Sequence, residues 1–371
     1  MRLVWLDDVQ APYREPVLEE LARRVEFRVL FLFDDEPERR LVFRPHPGYA
    51  AELLRAWRLP RVGPLRALDS YQGVLRPGSV RRILDADVVV TTAWAQLATV
   101  TAVLVARRRG VPYVVFSEST LDSRRIASGP VDRVRRWFLG GAGAVVVPGP
   151  AARDAVLADG VAPERVVETV NAVDHTVFAE RPRALRAGRD PGGEHRFVVV
   201  GQLIPRKNVA ALLHALAALD GAPRLDVVGD GAEAGALRAL AAELGLADRV
   251  TFHGFLDEQD VAGVLAGTHT LVLPSTEEVY GFTAVEARTA GLQVVVSEVA
   301  GVAASLRGAG GVWTVPPDVD GLRAGLAAAR AAWTGWRDEV PDDAGSPSRT
   351  AADLVAAAEL ALVGQRRRSS R

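Results

Sequence analysis

The segment Leu271-Val272-Leu273-Pro274-Ser275-Thr276-Glu277-Glu278-Val279-Tyr280-Gly281-Phe282-Thr283-Ala284-Val285-Glu286-Ala287 carries the chain from one kind of element to another. A short apolar, β-branched run reads as a buried strand, Pro-Ser and Gly281 mark a turn, and the residues after it take helical spacing. Ala290-Gly291 then leads into a further apolar run, Val294–Ser297. Strand, turn, helix and strand in this order are the repeating unit of a parallel α/β layer. The unit also brings two carboxylates, Glu278 and Glu286, to the two sides of a helix start. The first backbone N–H groups of a helix are unpaired and carry partial positive charge, so the segment offers an anion seat flanked by two acceptors. Taken alone, the pair is equally a surface acid and a first-turn acid that complements the helix dipole.

Working outward, similar units fill the chain. In the first half strands are expected at Leu3–Leu6, Phe27–Phe33, Val88–Thr92, Tyr113–Ser117, Ala144–Val147 and Val166–Val170, with helices at Pro16–Arg24, Gln96–Arg108 and Val131–Leu139. In the second half strands fit Phe197–Gly201, Leu225–Val228, Val250–Phe252, Thr270–Leu273, Val294–Ser297 and Val312–Val315. Helices there fit Val209–Leu219, Ala232–Leu244, Glu258–Ala266, Thr283–Thr289 and Gly321–Trp333. The pattern divides the chain into an α/β domain at residues 1–180, a polar linker at 181–194 and a second α/β domain at 195–345. A helix at 350–364 is expected to pack back on the first domain, and 365–371 to form an unstructured basic tail. Two open sheets in series would leave a cleft between them, with ligands outside the carboxyl ends of the strands.

Composition narrows the functional classes. The chain has 371 residues, enough for two domains, and 49% are hydrophobic, so each domain can bury a core of its own. Lys and Arg number 45 against 46 Asp and Glu, a balance that argues against a nucleic-acid binder. The absence of cysteine excludes disulfides and thiolate chemistry. The six His show no metal-ligand spacing, so no metal site is expected. Met1-Arg2-Leu3-Val4-Trp5-Leu6-Asp7-Asp8 breaks its apolar run with two acids, unlike a signal peptide, and no stretch approaches the ~18 apolar residues of a membrane span. A cytoplasmic protein, monomer or homodimer, is the default expectation. The basic helix with Arg133, Arg135, Arg136, Trp137 and Phe138 leaves contact with anionic lipid open, beside the plainer reading of a solvated face.

Other strand ends carry chemistry too. Gly201-Gln202-Leu203-Ile204-Pro205-Arg206-Lys207-Asn208 follows a strand and opens a helix with two cations, a second anion site. Gly229-Asp230-Gly231-Ala232-Glu233-Ala234-Gly235 read alone is a dinucleotide signal of the NAD type. It opens the second unit of its domain and not the first, and close helix–strand packing accounts for its glycines as well. Near the first domain's strand ends, Asp8, Arg14, Ser117 and Glu118 are candidates for holding an acceptor molecule, Glu118 through a hydroxyl or amine. Asp8 and Arg14 serve equally as caps of the first helix.

The spacing from Glu278 to Glu286 with its flanks, the Gly201–Asn208 turn, the glycine turn at 229 and Asn171-Ala172-Val173-Asp174 together resemble retaining glycosyltransferases of family 4, which have the GT-B fold. The likeness covers nearly all of 195–300 and the remainder more loosely. It implies two Rossmann-like domains facing each other across a cleft and transfer of a sugar, with retention and without metal, from a nucleotide diphosphate sugar, UDP being the expected nucleotide. No further cofactor is implied, and the acceptor is a small natural product, a glycan or a lipid. By this resemblance Lys207, Arg206 and Glu278 are the catalytic candidates. The donor would be held by Gly201, Gln202, Lys207, Gly229, Phe255, Leu256, Glu278, Gly281, Phe282, Thr283, Ala284 and Glu286, with Glu278 on the sugar, Glu286 on the ribose, and the amides near Phe282, Thr283 and Ala284 on the phosphates.

The chain departs from the family pattern at three places. Gln202 stands where the family has an Arg, and the loss of one charged hydrogen bond of roughly 1.5–3 kcal/mol would slow turnover by about one to two powers of ten. Asp7-Asp8 replaces a Gly-Gly, and Ser117 or Glu118 replaces a His. These departures keep an inactive partner subunit that binds nucleotide sugar as an alternative, and the architecture alone also admits a sugar-nucleotide epimerase of the same fold.

Overall fold

The inner β-branched runs, such as Val88–Thr91, Ala144–Pro148, Thr270–Leu273 and Gln293–Ser297, become strands buried on both faces, as a parallel sheet covered by helices requires, while the outer runs at Val166–Thr169, Val250–Gly254 and Val312–Val315 stay partly exposed. The computed structural model describes residues 1–36, 41–58, 73–76, 78–92, 96–121, 123, 128–221, 223–340 and 345–369. They form two compact units, Met1–Ala172 with Pro347–Arg371, and Val173–Ser346.

The first unit has a seven-stranded parallel sheet: β1 (Arg2–Asp7), β2 (Glu26–Phe31), β3 (Ala50–Leu53), β4 (Val88–Thr91), β5 (Tyr113–Phe116), β6 (Ala144–Pro148) and β7 (Val166–Thr169). Their order across the sheet is β7-β6-β5-β4-β1-β2-β3. Trp5 lies beside Val29 on one flank and Val90 on the other, which fixes the register of β2, β1 and β4. Helices α1 (Glu15–Arg24), α2 (Ser79–Leu84), α3 (Leu97–Arg108), α4 (Gly129–Gly140) and α5 (Pro150–Ala158) connect them. On one face α2 to α5 pack Ile83, Ala102, Val103, Phe138 and Val156 against Val89, Val115 and Val145. On the other, α1 and the C-terminal helix bury Leu18 and Leu21 with Ala351, Leu354, Ala357, Ala358 and Ala361.

The second unit holds a six-stranded parallel sheet: β8 (Arg196–Val200), β9 (Arg224–Val228), β10 (Val250–Gly254), β11 (Thr270–Leu273), β12 (Gln293–Ser297) and β13 (Val312–Val315), in the order β10-β9-β8-β11-β12-β13. After α6 (Arg181–Arg186) come α7 (Val209–Ala217), α8 (Ala234–Glu243), α9 (Glu258–Leu265), α10 (Phe282–Thr289), α11 (Ala303–Leu306) and α12 (Val319–Ala331). Asp257 and Asp318 cap α9 and α12, accepting from the amides of Asp260 at 2.9 Å and Gly321 at 2.7 Å. In both sheets the chain starts at the centre, steps outward, then returns to the other side of its first strand. The reversal falls between β1 and β4 in one unit and between β8 and β11 in the other. That is the point where open α/β sheets leave a crevice at their carboxyl ends.

Two expectations are corrected and one strand is added. The stretch 181–194 is not a plain linker, since a π-turn at Thr176–Glu180 runs directly into α6, and the second unit begins at Val173. The last helix, α13, extends from Pro347 to Ser369 and takes in most of the expected basic tail, because Gln and Arg continue a helix readily. Residues 341–344, 370 and 371 lie outside the described residues. Strand β3 was not anticipated: Ala-Ala-Glu-Leu has no β-branched residue, and its pairing with β2 makes it a strand.

Candidate functional site

The end of β8 is shaped by glycine. Gly201 has φ +154° and Gly229, at the end of β9, has φ +132°. A Cβ on Gly229 would run into the carbonyl of Gly201, so the two strand ends touch backbone to backbone. The packing reading of the glycines at 229–235 therefore holds at Gly229. The amide of Gly229 is donated to Gly254 at the end of β10 (2.8 Å), which ties that strand and the following Phe255 and Leu256 to the same edge. Phe255 is 54% exposed, leaving an aromatic face at the rim.

Beyond Gly201 the chain makes one short 3₁₀ turn, Pro205–Lys207, and Asn208 enters α7 with φ +57°. This left-handed position suits Asn, and its side chain explains why it is there. Nδ2 of Asn208 donates to the carbonyls of Pro274 (3.0 Å) and Pro317 (2.7 Å), clamping the turn to the ends of β11 and β13. Lys207 is thereby aimed across the reversal point, where Nζ pairs with Oε2 of Glu278. The Oγ of Ser275, wholly buried, donates to the same oxygen at 3.3 Å. Arg206 turns another way: its guanidinium reaches the carbonyl of Glu277 at 3.4 Å, and its own carbonyl accepts the amide of Thr276 at 2.9 Å. Gln202 is exposed at the rim.

The loop bearing Glu278 is fixed as a short extra strand. Glu278 bridges Ala300, its carbonyl accepts the amide of Gly301 at 3.1 Å, and that of Tyr280 accepts the amide of Val302 at 2.8 Å. Gly281, at φ +108°, then turns the chain into α10 against Leu273. Of the amides expected to seat phosphate, that of Ala284 already closes on the carbonyl of Gly281 (3.0 Å), so this member is occupied by the turn itself. Glu286 stands on the second turn of α10. Burial, reinforced by Glu258 of α9, raises its pKa from the ordinary 4.5 to about 8. The site therefore sets a neutralised cation, a polar loop and a carboxyl group held protonated around the head of one helix.

The first unit gathers its own group at the equivalent reversal point. Arg14 pairs with Asp7 at 2.9 Å and with Glu118 at 3.3 Å, and its guanidinium lies 5.4 Å and 5.9 Å from the ring centres of Tyr13 and Phe116. Burial works to lower the pKa of Arg14, but Asp7, Tyr13 and Glu118 outweigh it and hold it above its ordinary value. Thr92 at the end of β4 donates to the other oxygen of Asp7 at 2.7 Å. Thr92 was missed in the sequence, and Asp7, the last residue of β1, was noted there only as a departure from the family pattern and not as a site candidate. Asp8 sits beside them, its carbonyl accepting the amide of Phe33 at 2.9 Å. Ser117 is buried, with its amide on the carbonyl of Val146 (2.8 Å), so it forms the floor of this edge. Among the described residues no cluster of His, Asp and Glu has a metal-ligand arrangement.

Known proteins share this architecture. Residues 10–172 match the family model described as glycosyl transferase 4-like domain, and residues 180–331 that of glycosyl transferases group 1. A 2-deoxystreptamine glucosyltransferase of Streptomyces kanamyceticus is 32% identical over 228 residues, 56% of this chain and 58% of that protein. A D-inositol 3-phosphate glycosyltransferase of Catenulispora acidiphila is 30% identical over 277 residues, 67% of this chain and 64% of the other. The match thus spans less than two thirds of each of these relatives. Among solved structures, Anabaena HepE in complex with UDP superposes with a TM-score of 0.69 at 18% identity, over 100% of this chain and 98% of that one. At that identity the likeness is one of fold, and the fold is that of the GT-B glycosyltransferases.

Proposed function

Because the chain matches glycosyltransferase family models in both parts, the 4-like domain over 10–172 and group 1 over 180–331, and has a GT-B fold, we propose that it transfers a glycosyl group from a nucleoside diphosphate sugar, UDP-linked by preference, to a small polyhydroxylated acceptor. The observation that carries this reading is the Lys207–Glu278 pair at the reversal point of the second sheet, beside the head of α10. A cation, a helix start and carboxyl groups at one strand edge suit a diphosphate between a sugar and a ribose.

In this reading the diphosphate takes Lys207 away from Glu278. The freed carboxylate then accepts from hydroxyls of the transferred sugar, and Glu286 meets the ribose. The bond between the anomeric carbon and the β-phosphate oxygen breaks, and the acceptor oxygen or nitrogen bonds to the same face of that carbon. The acceptor proton passes to the departing diphosphate, giving retention of configuration. Lys207 and the helix dipole stabilise the charge that develops on the leaving group, so a divalent cation is not required.

The acceptor is assigned to the first unit, at Asp8, Arg14 and Glu118. Oε1 of Glu118 is buried with no hydrogen-bond partner among the described residues, an acceptor in want of a donor such as a hydroxyl or amine. The names of both relatives carry a ring polyol, 2-deoxystreptamine in one and inositol phosphate in the other, which favours a small cyclitol here. The test is incubation of the full chain with UDP-, GDP-, ADP- and dTDP-sugars and a panel of cyclitols, with EDTA present. A new glycoside whose anomeric proton coupling matches the donor supports the reading. Inverted product, EDTA-sensitive turnover, or binding without transfer on any acceptor contradicts it.

A further inference from the structure

Helix α4 was expected to present Arg133, Arg135, Arg136, Trp137 and Phe138 together. The fold divides them. Arg135 turns inward to pair with Asp132 and with Asp159 (3.3 Å), and Phe138 enters the core. Arg133, Val134, Arg136 and Trp137 stay outside, with Val134 42% and Trp137 38% exposed. Helix α3 continues this surface. Arg107 places its guanidinium 5.2 Å from the ring centre of Trp137, and one and three turns back on α3 lie Leu104, 36% exposed, and Leu97, 42% exposed.

The charge on this two-helix face has one sign. Neither helix carries an outward acid: the sole carboxylate of α3 and α4, Asp132, is engaged by Arg135 and Arg136. Arg107, Arg108, Arg109 and Arg133 have no carboxylate partner among the described residues. The whole chain carries a net charge of −1, so this concentration of unpaired arginines is local. A tryptophan and three aliphatic side chains set among arginines match the layering of a membrane interface. Apolar groups enter the acyl boundary, the indole sits at the headgroups, and guanidinium groups meet lipid phosphates. A soluble acidic macromolecule would use the arginines and leave Leu97, Leu104 and Val134 without a role.

We propose that the face formed by α3 and α4 docks on an anionic lipid surface, as a peripheral contact that spans nothing. No described helix is long and apolar enough to cross a membrane, consistent with a surface mode.

The test is flotation of the full chain with vesicles of phosphatidylcholine alone and of phosphatidylcholine mixed with phosphatidylglycerol, alongside transfer to a soluble acceptor. The chain is expected to float with the mixed vesicles, to stay behind with the neutral ones, and to be released by salt. R108E with R133E should weaken partitioning about tenfold or more, and W137A several-fold, with transfer in solution unchanged. Equal binding to neutral vesicles, no binding to anionic ones, or wild-type partitioning by both variants overturns the proposal. So does tighter binding to polyglutamate than to vesicles, or a dimer in ultracentrifugation that W137A dissolves, which would assign the face to an acidic protein or to a second copy.

Discussion

Lys207 and Glu278 are 71 positions apart in the chain and close an ion pair across the reversal point of the second sheet, with Ser275 donating to the same carboxylate oxygen. On the proposed function the cation that would meet a phosphate is already neutralised, so an incoming diphosphate would have to displace a carboxylate before it gains the ammonium. E278Q is therefore expected to bind nucleoside diphosphate at least as tightly as the wild type in calorimetry, while transfer falls. K207A should lose both, with kcat down by about 10²–10³, the usual effect of removing one donor to a developing anion. Weaker nucleotide binding in E278Q would show that the pair does not restrain Lys207.

Glu286 supplies a pH dependence. Its pKa lies near 8 in the folded chain against an ordinary 4.5, so between these values the folded state holds a proton that the unfolded state has lost. Stability from this group is fully present below pH 4.5 and is lost as pH rises through about 8. E286Q should melt at a higher temperature than the wild type at pH 8, and the difference should shrink towards zero near pH 5. Its nucleotide affinity should fall in the same samples. A difference in melting that does not change with pH would refute the assignment.

Asn208 is a positioning residue, acting on Lys207 through the turn it anchors. N208A leaves two carbonyls without their donor and puts alanine at positive φ, a loss of roughly 1–3 kcal/mol in denaturant melts. N208G should relieve the backbone strain yet still reduce kcat. A glycine variant with wild-type kcat would mean that the clamp does not hold Lys207 in place.

The glycines of the 229–235 turn make a paired comparison. G229A forces a Cβ into the carbonyl of Gly201 at φ +132° and should prevent accumulation of folded protein. G235A meets nothing within 4 Å and removes a glycine from a helix, so it should stabilise by about 0.5–1 kcal/mol. Equal melting temperatures for the two would remove the close-packing account of this turn.

The sequence made the sheets legible because their strands are buried on both faces and rich in valine, as at Val88–Thr91 and Val294–Ser297. It hid elements whose stability comes from a neighbour: β3 from its pairing with β2, and α6 from a polar, Arg-rich stretch. Lys207, Glu278 and Glu286 could each be picked out from strand-end and helix-start patterns. Their arrangement could not, since it depends on which strands lie side by side. The same holds for Arg14, brought to Glu118 from 104 positions away, and for Asp7, read only as part of the Asp7-Asp8 departure from the family pattern. Asn208 gave no signal, because a positive φ and two carbonyl partners are set by the finished turn.

The account rests on where the diphosphate sits, and the direct measurement is a crystal of the chain soaked with UDP and, separately, with a UDP-sugar. We expect the β-phosphate against Nζ of Lys207 and the head of α10, with Glu278 released from the lysine and Glu286 beside the ribose. Nucleotide bound away from the ends of β8 and β11, or an unbroken Lys207–Glu278 pair with diphosphate in place, would contradict it.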